Sequence, residues 1–195
     1  MSNQNVKGKF ILVVGPSGSG KGTLISNARV LFPEIIYAKS ATTRAERAGE
    51  ANYASYYYLT RDEFESRVKN DEFLEWAEYG GNLYGTLKSE VVPHLEEGKM
   101  VLKEMEVQGA RQIQKQIPKD ELFIIFINAG SWADMEARIK ARAPITEEEL
   151  AKRKLRYEDE MGFMAECNVI VPNRTGELEQ AKREFQAVVR MAVGG

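Results

Sequence analysis

The sequence predicts an α/β fold, a parallel sheet flanked by helices with two insertions. Three observations carry that prediction. An apolar run, Phe10–Val14 (FILVV), leads through a glycine-rich turn into a helical pattern. Similar short apolar runs recur at 101–102, 122–127 and 169–171, separated by stretches of helical spacing. Strands alternating with helices of this size imply right-handed crossovers and parallel pairing. The rhythm breaks twice, over residues 40–86 and over about 142–164. The core is therefore expected from residues 8–39, 87–141 and 165–195 of one domain.

In chain order, Phe10–Val14 is apolar at every position, as a strand buried on both faces must be. Leu24, Ala28 and Leu31 then follow helical spacing, and Pro33 closes that helix. The segment 40–86 is rich in Tyr, Gly, Arg and Glu, with alternating pieces such as SYYYL at 55–59. It is expected to form a small α+β, partly antiparallel subdomain, with one helix opened by the capping box Thr60-Arg61-Asp62-Glu63. Further helices are expected over 89–97 (ended by Gly98), 110–116 (ended by Pro118) and 133–141. In the second insertion, Thr146-Glu147-Glu148-Glu149 is another capping box, just after Pro144. The helix it opens has few core positions, the mark of a mobile or solvent-bridging element.

Composition excludes several classes. At 195 residues, with 43% apolar and 29% charged, the chain can bury a core without metal or disulfide staples. Twenty-seven basic against twenty-nine acidic residues give a net charge of -2, which argues against a dedicated nucleic-acid or membrane-surface binder. The single Cys167 leaves no internal disulfide or cysteine-cluster zinc site and reads as a small hydrophobe. The single His94, in a polar stretch, excludes a multi-histidine metal centre and reads as a surface residue. Residues 1–9 are polar, and no apolar run approaches the ~20 residues of a membrane span. A cytoplasmic protein with no membrane partner is expected.

Gly15-Pro16-Ser17-Gly18-Ser19-Gly20-Lys21 has two glycines flanking four residues, then lysine. Glycines permit positive φ, so successive N–H groups can turn inward around a phosphate. The helix that follows adds its positive end, and Lys21 adds a full charge for the outer phosphates. The bare spacing arises by chance in roughly one chain in twenty of this length, so context decides. A buried strand before the loop and a helix after it supply that context. A nucleoside-triphosphate site over Gly15, Pro16, Ser17, Gly18, Ser19, Gly20, Lys21, Gly22 and Thr23 is expected. The hydroxyl usually placed directly after the lysine to ligate magnesium arrives one residue late, at Thr23. Two arginines and three hydroxyls in Ser40-Ala41-Thr42-Thr43-Arg44-Ala45-Glu46-Arg47 form a second candidate phosphate clamp, because the guanidinium fork binds phosphate oxygens in pairs.

The phosphate loop, residues 40–50, EFLEWAEY at 72–79, GNLYGT at 81–86 and VQGAR at 107–111 together resemble guanylate kinase, in that family's order and spacing. The resemblance covers nearly the whole chain. It implies a core with a phosphate loop, a GMP-binding subdomain (about 40–86) and a lid (about 142–164). The implied reaction moves the γ-phosphoryl group of ATP to GMP with Mg2+; ATP and GMP are the small-molecule partners, no nucleic-acid partner is expected, and monomer or homo-oligomer is left open. By the same resemblance Arg44, Arg47, Tyr56 and Tyr84 would hold the GMP phosphate, and Ser40, Glu75 and Thr86 would read the guanine. Arg142 and Arg153 match the lid arginines. Lys21, Arg44, Arg47, Arg142 and Arg153 would thus carry the catalytic charge. Glu106 would organise the acceptor or magnesium waters, Thr23 and Glu104 would reach the metal only through water, and Asn173 would contact the ATP base.

Four departures from the family stand out. The lid turn reads Arg142-Ala143-Pro144 instead of Arg-Gly-Thr. Glu106 replaces an Asp, Glu46 replaces a Pro between the clamp arginines, and Val171-Pro172-Asn173-Arg174 replaces Val-Asn-Asp. Two other readings share the architecture: a kinase of a different small phosphorylated acceptor, and an inactive interaction domain. The second tends to lose the loop lysine or clamp arginines, which this chain keeps.

Overall fold

The computed structural model describes residues 8–46, 56–142 and 144–194. The fold is the expected α/β one, with a parallel sheet flanked by helices. The chain divides into two compact units. One takes in the described residues of Met1–Phe10, Glu34–Lys103 and Gln108–Leu122; the other comprises those of Ile11–Pro33, Glu104–Val107 and Phe123–Gly195.

In the second unit, β1 (Phe10–Val14) is wholly buried along its length, as its unbroken apolar sequence requires. Each such side chain contributes roughly 1.5–3 kcal/mol by leaving water. The strand order there is β1, β8 (Leu122–Asn128), β9 (Val169–Pro172). The β8–β9 pair is parallel, from Ile125 opposite Val169 to Asn128 opposite Pro172. The helices are α1 (Lys21–Leu31), α5 (Trp132–Arg142), α6 (Glu147–Phe163) and α7 (Leu178–Gly194). The capping box expected at Thr146 and Glu149 is formed at the head of α6. Helix α7 lies beyond the elements expected from the sequence. Its buried stripe, Ala181, Phe185, Val189 and Ala192, packs the helix against α1 and β9.

In the first unit, β2 (Ile36–Tyr37) pairs in parallel with β7 (Val101–Glu104). The expected subdomain is a four-stranded mixed sheet in the order β4 (Tyr56–Tyr58), β3 (Ser40–Thr42), β6 (Asn82–Leu87), β5 (Phe73–Tyr79). The β5–β6 hairpin turns through Gly80 and Gly81, both at positive φ (57° and 78°), the geometry of a two-residue turn matched to strand twist. Helix α2 (Arg61–Lys69) begins at the expected Thr60 capping box. It buries Phe64 against Phe73, with ring centroids 4.4 Å apart, beside Ala41, Leu83 and Leu87.

Two helices differ from expectation. The segment expected as one helix over 89–97 is a 3-10 turn, Lys88–Glu90, followed by α3 (Val92–Glu96). Pro93 explains the break, because its ring would collide with the carbonyl four residues earlier in a continuous helix. Helix α4 spans Val107–Ile113, shifted toward the N-terminus from the expected 110–116. No Ser, Thr, Asp or Asn precedes it to mark its start. Among the described residues no helix is long and apolar enough to cross a membrane.

Candidate active site

In the second unit β1 runs directly into the glycine loop. Gly15, Gly18 and Gly20 all have positive φ (140°, 89° and 92°). A side chain at Gly15 would meet the Ile127 carbonyl oxygen at 2.5 Å, so only glycine fits where the loop leaves the strand. Gly20 caps α1, and Lys21 is the first residue of that helix. The Lys21 ammonium folds back over the loop, donating to the carbonyls of Gly15 (2.7 Å) and Pro16 (3.2 Å). The Glu104 carboxylate lies 3.8 Å from it. Ser17, Gly18, Gly22 and Thr23 are exposed, while Pro16 and Ser19 are buried.

Two other candidates, Arg153 and Asn173, reach this loop. Arg153 on α6 reaches Ser17, its guanidinium 3.5 Å from the hydroxyl. Asn173 is buried, and its side-chain amide donates to the Ser19 carbonyl at 2.7 Å, so it braces the loop from beneath. Arg138 donates to the Asn173 carbonyl at 2.7 Å and holds that brace from the far side. Arg142 ends α5. Exposed Glu106 lies between β7 and α4.

Glu160 on α6 is a group the sequence reading did not single out. Burial pushes its carboxyl up to about 7; Lys21 and Arg156 oppose that shift, while Glu106 and Asp159 add to it. Its signal in the sequence is faint, one glutamate among many in a polar helix. Cys167 behaves as expected: burial pushes its thiol up to about 12, so it stays protonated and unreactive.

In the first unit the acceptor-side candidates share one face of the four-stranded sheet. Tyr56 opposes Ser40, and Glu75 opposes Thr86. Ala41 opposes Gly85 and Thr42 opposes Tyr84; that register, continued by one residue, brings Ser40 opposite Thr86. Tyr56, Ser40, Thr86 and Glu75 therefore form a row across all four strands, with Tyr84 two residues along on the same face. The other face carries the apolar residues packed on α2.

Simple alternation would put Glu75 on the core face with Phe73. A bulge between Phe73 and Glu75, where β5 advances two residues while β6 advances one, turns Glu75 to the row instead. The Thr86 hydroxyl donates to the Glu75 carboxylate at 2.6 Å. The Arg44 guanidinium lies over the rings of Tyr56 (5.5 Å) and Tyr58 (5.9 Å). Arg47, the other clamp arginine, lies outside the described residues. Gln112 and Gln116 complete this sheet by pairing with the backbone of Trp76 and Leu74 along the outer edge of β5.

An α/β fold whose first strand enters a three-glycine loop, with a lysine at the head of the next helix, defines a phosphate-binding-loop protein. The family profile "Guanylate kinase" matches residues 7–192. A guanylate kinase of Rubrobacter xylanophilus is 40% identical over 189 residues, 97% of each chain. One of Trichormus variabilis is 43% identical over 166 residues, covering 85% of this chain and 82% of its own. The crystal structure of guanylate kinase from Anaplasma phagocytophilum has the same fold, with a TM-score of 0.71 at 23% identity, over 95% of this chain and 86% of that one. The chain belongs to the guanylate kinase family.

Proposed function

We propose that this protein transfers the γ-phosphoryl group of ATP to GMP, giving ADP and GDP. The observation that carries the choice of acceptor is the row Tyr56–Ser40–Thr86–Glu75, in which a bulge spends backbone regularity to aim one carboxylate at a polar face. A carboxylate accepts from both the ring N–H and the exocyclic amine of guanine, an arrangement adenine does not offer.

The donor side follows from the loop. Its backbone N–H groups and the positive end of α1 hold the ATP phosphates over Gly15 to Thr23. The Lys21 ammonium, now on the Gly15 and Pro16 carbonyls, needs only a change of rotamer to meet the outer phosphates. Phosphoryl transfer demands positive charge on the migrating group more than it demands a base. Lys21, Arg153 and Arg142 supply that charge from the donor side, and Arg44 and Arg47 supply it at the acceptor phosphate with Tyr56 and Tyr84. Glu106 orders the acceptor. Asn173 acts on ATP through the loop it braces.

Mg2+ accompanies ATP. The oxygen donors at the loop, the Glu104 carboxylate (50% exposed) and the exposed Thr23 hydroxyl, suit a hard cation. Among the described residues no group of three or more His, Cys, Asp or Glu side chains forms a cage. That donor set would suit a magnesium ion brought in with the ATP phosphates, and Thr23 and Glu104 are the residues that would hold it, through water. When bound, it would supply charge neutralisation on the phosphates. We place the reaction in the cytoplasm, where ATP, GMP and Mg2+ meet.

Chromatography of a reaction with ATP, GMP and Mg2+ tests the proposal. ADP and GDP should appear in equal amounts, and EDTA should stop both. ADP released without GDP would overturn it.

A further inference from the structure

Lys103 sits in β7 directly after Val101 and Leu102 and is only 5% exposed. A lysine so far from water is tolerated only when its donors are used. Its ammonium donates to the Ser40 hydroxyl oxygen at 2.7 Å, to the Lys39 carbonyl at 3.1 Å and to the Ala38 carbonyl at 3.5 Å. All three partners lie at the end of β2 and the start of β3, where the acceptor-side row begins.

We propose that Lys103 is a positioning residue that sets base specificity by fixing the hydrogen-bond polarity of Ser40. The inference rests on reading the row as a guanine site. An ammonium group can donate and cannot accept. Ser40 Oγ must therefore accept from Lys103, and its own hydrogen must turn elsewhere. That bond takes one of the two Ser40 lone pairs, and the adjacent ammonium charge favours an acceptor over a second donor on the free side, so toward a bound base Ser40 presents its hydrogen.

The remainder of the row has the opposite polarity. Thr86 gives its hydroxyl hydrogen to Glu75, so its oxygen offers lone pairs, and Glu75, as a carboxylate, accepts only. From Ser40 to the Thr86–Glu75 pair, the row reads donor and then acceptors, with the Glu75 carboxylate able to take both guanine donors. The guanine edge reads acceptor, donor, donor, from its 6-oxygen, ring N1–H and 2-amino group. Adenine brings an amine to the Ser40 donor and a bare ring nitrogen to an acceptor, and is mismatched at both. Without Lys103 that bias is gone, and the Ser40 hydroxyl accepts from a 6-amine as readily as it donates to a 6-oxygen. Discrimination at C6 then falls, while discrimination at C2, which belongs to Glu75 and Thr86, does not.

Values of kcat/KM for GMP, IMP and AMP, with melting curves, test this in Lys103→Met, Ser40→Ala and the double variant. In Lys103→Met, GMP and IMP should lose kcat/KM together by about fivefold to tenfold, the worth of one hydrogen bond. The GMP/IMP ratio should stay within about twofold of wild type, and the GMP/AMP ratio should fall by about tenfold or more. In a Ser40→Ala background, Lys103→Met should add nothing to these ratios. An unchanged GMP/AMP ratio in folded Lys103→Met, or an undiminished Lys103→Met effect without Ser40, overturns the proposal. If Lys103→Met does not fold, Lys103→Arg should keep the GMP/AMP ratio and Lys103→Gln should lower it; equal ratios in those two overturn it as well. A GMP/AMP ratio untouched by Ser40→Ala refutes the guanine reading of Ser40 and this inference together. A ratio that collapses in Ser40→Ala but not in Lys103→Met refutes the inference alone.

Discussion

Lys21 is held against the loop in which we propose it acts. Its ammonium rests on two loop carbonyls within 3.2 Å, beside Glu104, and is almost wholly shielded from water. Exchanging those carbonyls for phosphate oxygens trades neutral acceptors for charged ones, which is the stronger interaction. Lys21→Met removes the charge while keeping the bulk and the loop's N–H groups. Turnover should fall by about 10²–10³-fold, the cost of losing one preorganised electrostatic contact. The melting temperature should stay near wild type. Near wild-type turnover in this variant would remove the loop from the mechanism. This residue was legible in the sequence because its chemistry is local: loop spacing, glycine φ and the helix start all lie within nine residues. Glu75 was legible only through resemblance. Its facing depends on a bulge, and strand alternation alone would have assigned it to the core beside Phe73. Lys103 left one signal, a lysine inside an apolar strand, but its partner Ser40 is 63 residues away.

At the scale of elements, α6 carries the clearest consequence. Its N-terminus is fixed by the Thr146–Glu149 capping box. Midway along, Tyr157 donates to the Gly130 carbonyl at 2.8 Å and meets Trp132 edge-on, 5.5 Å between centroids. The next turn bears Glu160, whose carboxyl burial pushes up to about 7. A carboxyl with a folded value above its unfolded one binds its proton more tightly in the folded state. Ionising it therefore costs stability, and that cost grows as pH rises from about 4.5 to 7 and is complete above that window. Glu160→Gln should raise stability at pH 8 by about 1–3 kcal/mol, discounted for partial solvent access, and by almost nothing near pH 4.5. Thermal melts across that range check it; a gain larger at pH 4.5 than at pH 8 would contradict the account. The capping boxes of α2 and α6 were readable because a cap is a four-residue pattern. The split of the 88–96 segment was hidden behind Pro93, which also suits a first helical turn. Helix α7 does carry a legible stripe, at 181, 185, 189 and 192, but no cap or motif drew attention to it.

At the scale of the whole molecule, the residues of the proposed site fall into two groups, one in each unit. The loop, Glu104, Glu106, Asn173, Arg153 and Glu160 belong to one, and the Tyr56–Ser40–Thr86–Glu75 row with Arg44, Tyr84 and Lys103 belongs to the other. The two units were not legible in the sequence, because their boundaries run through β1 and β7 instead of around the inserted segment. Such a division predicts that base choice and ATP binding respond to different residues. The most direct test is the ratio of kcat/KM for GMP to that for IMP, in the wild type and in Glu75→Gln, with AMP as a third acceptor and the KM for ATP measured alongside. The buried acceptor left unpaired by a base lacking its donors should cost roughly 1–3 kcal/mol. The wild type should therefore prefer GMP strongly over AMP and use IMP poorly. Glu75→Gln should weaken GMP and narrow the GMP/IMP ratio, leaving the KM for ATP nearly unchanged. A wild type that uses AMP as well as GMP, or a GMP/IMP ratio untouched by Glu75→Gln, would contradict the account.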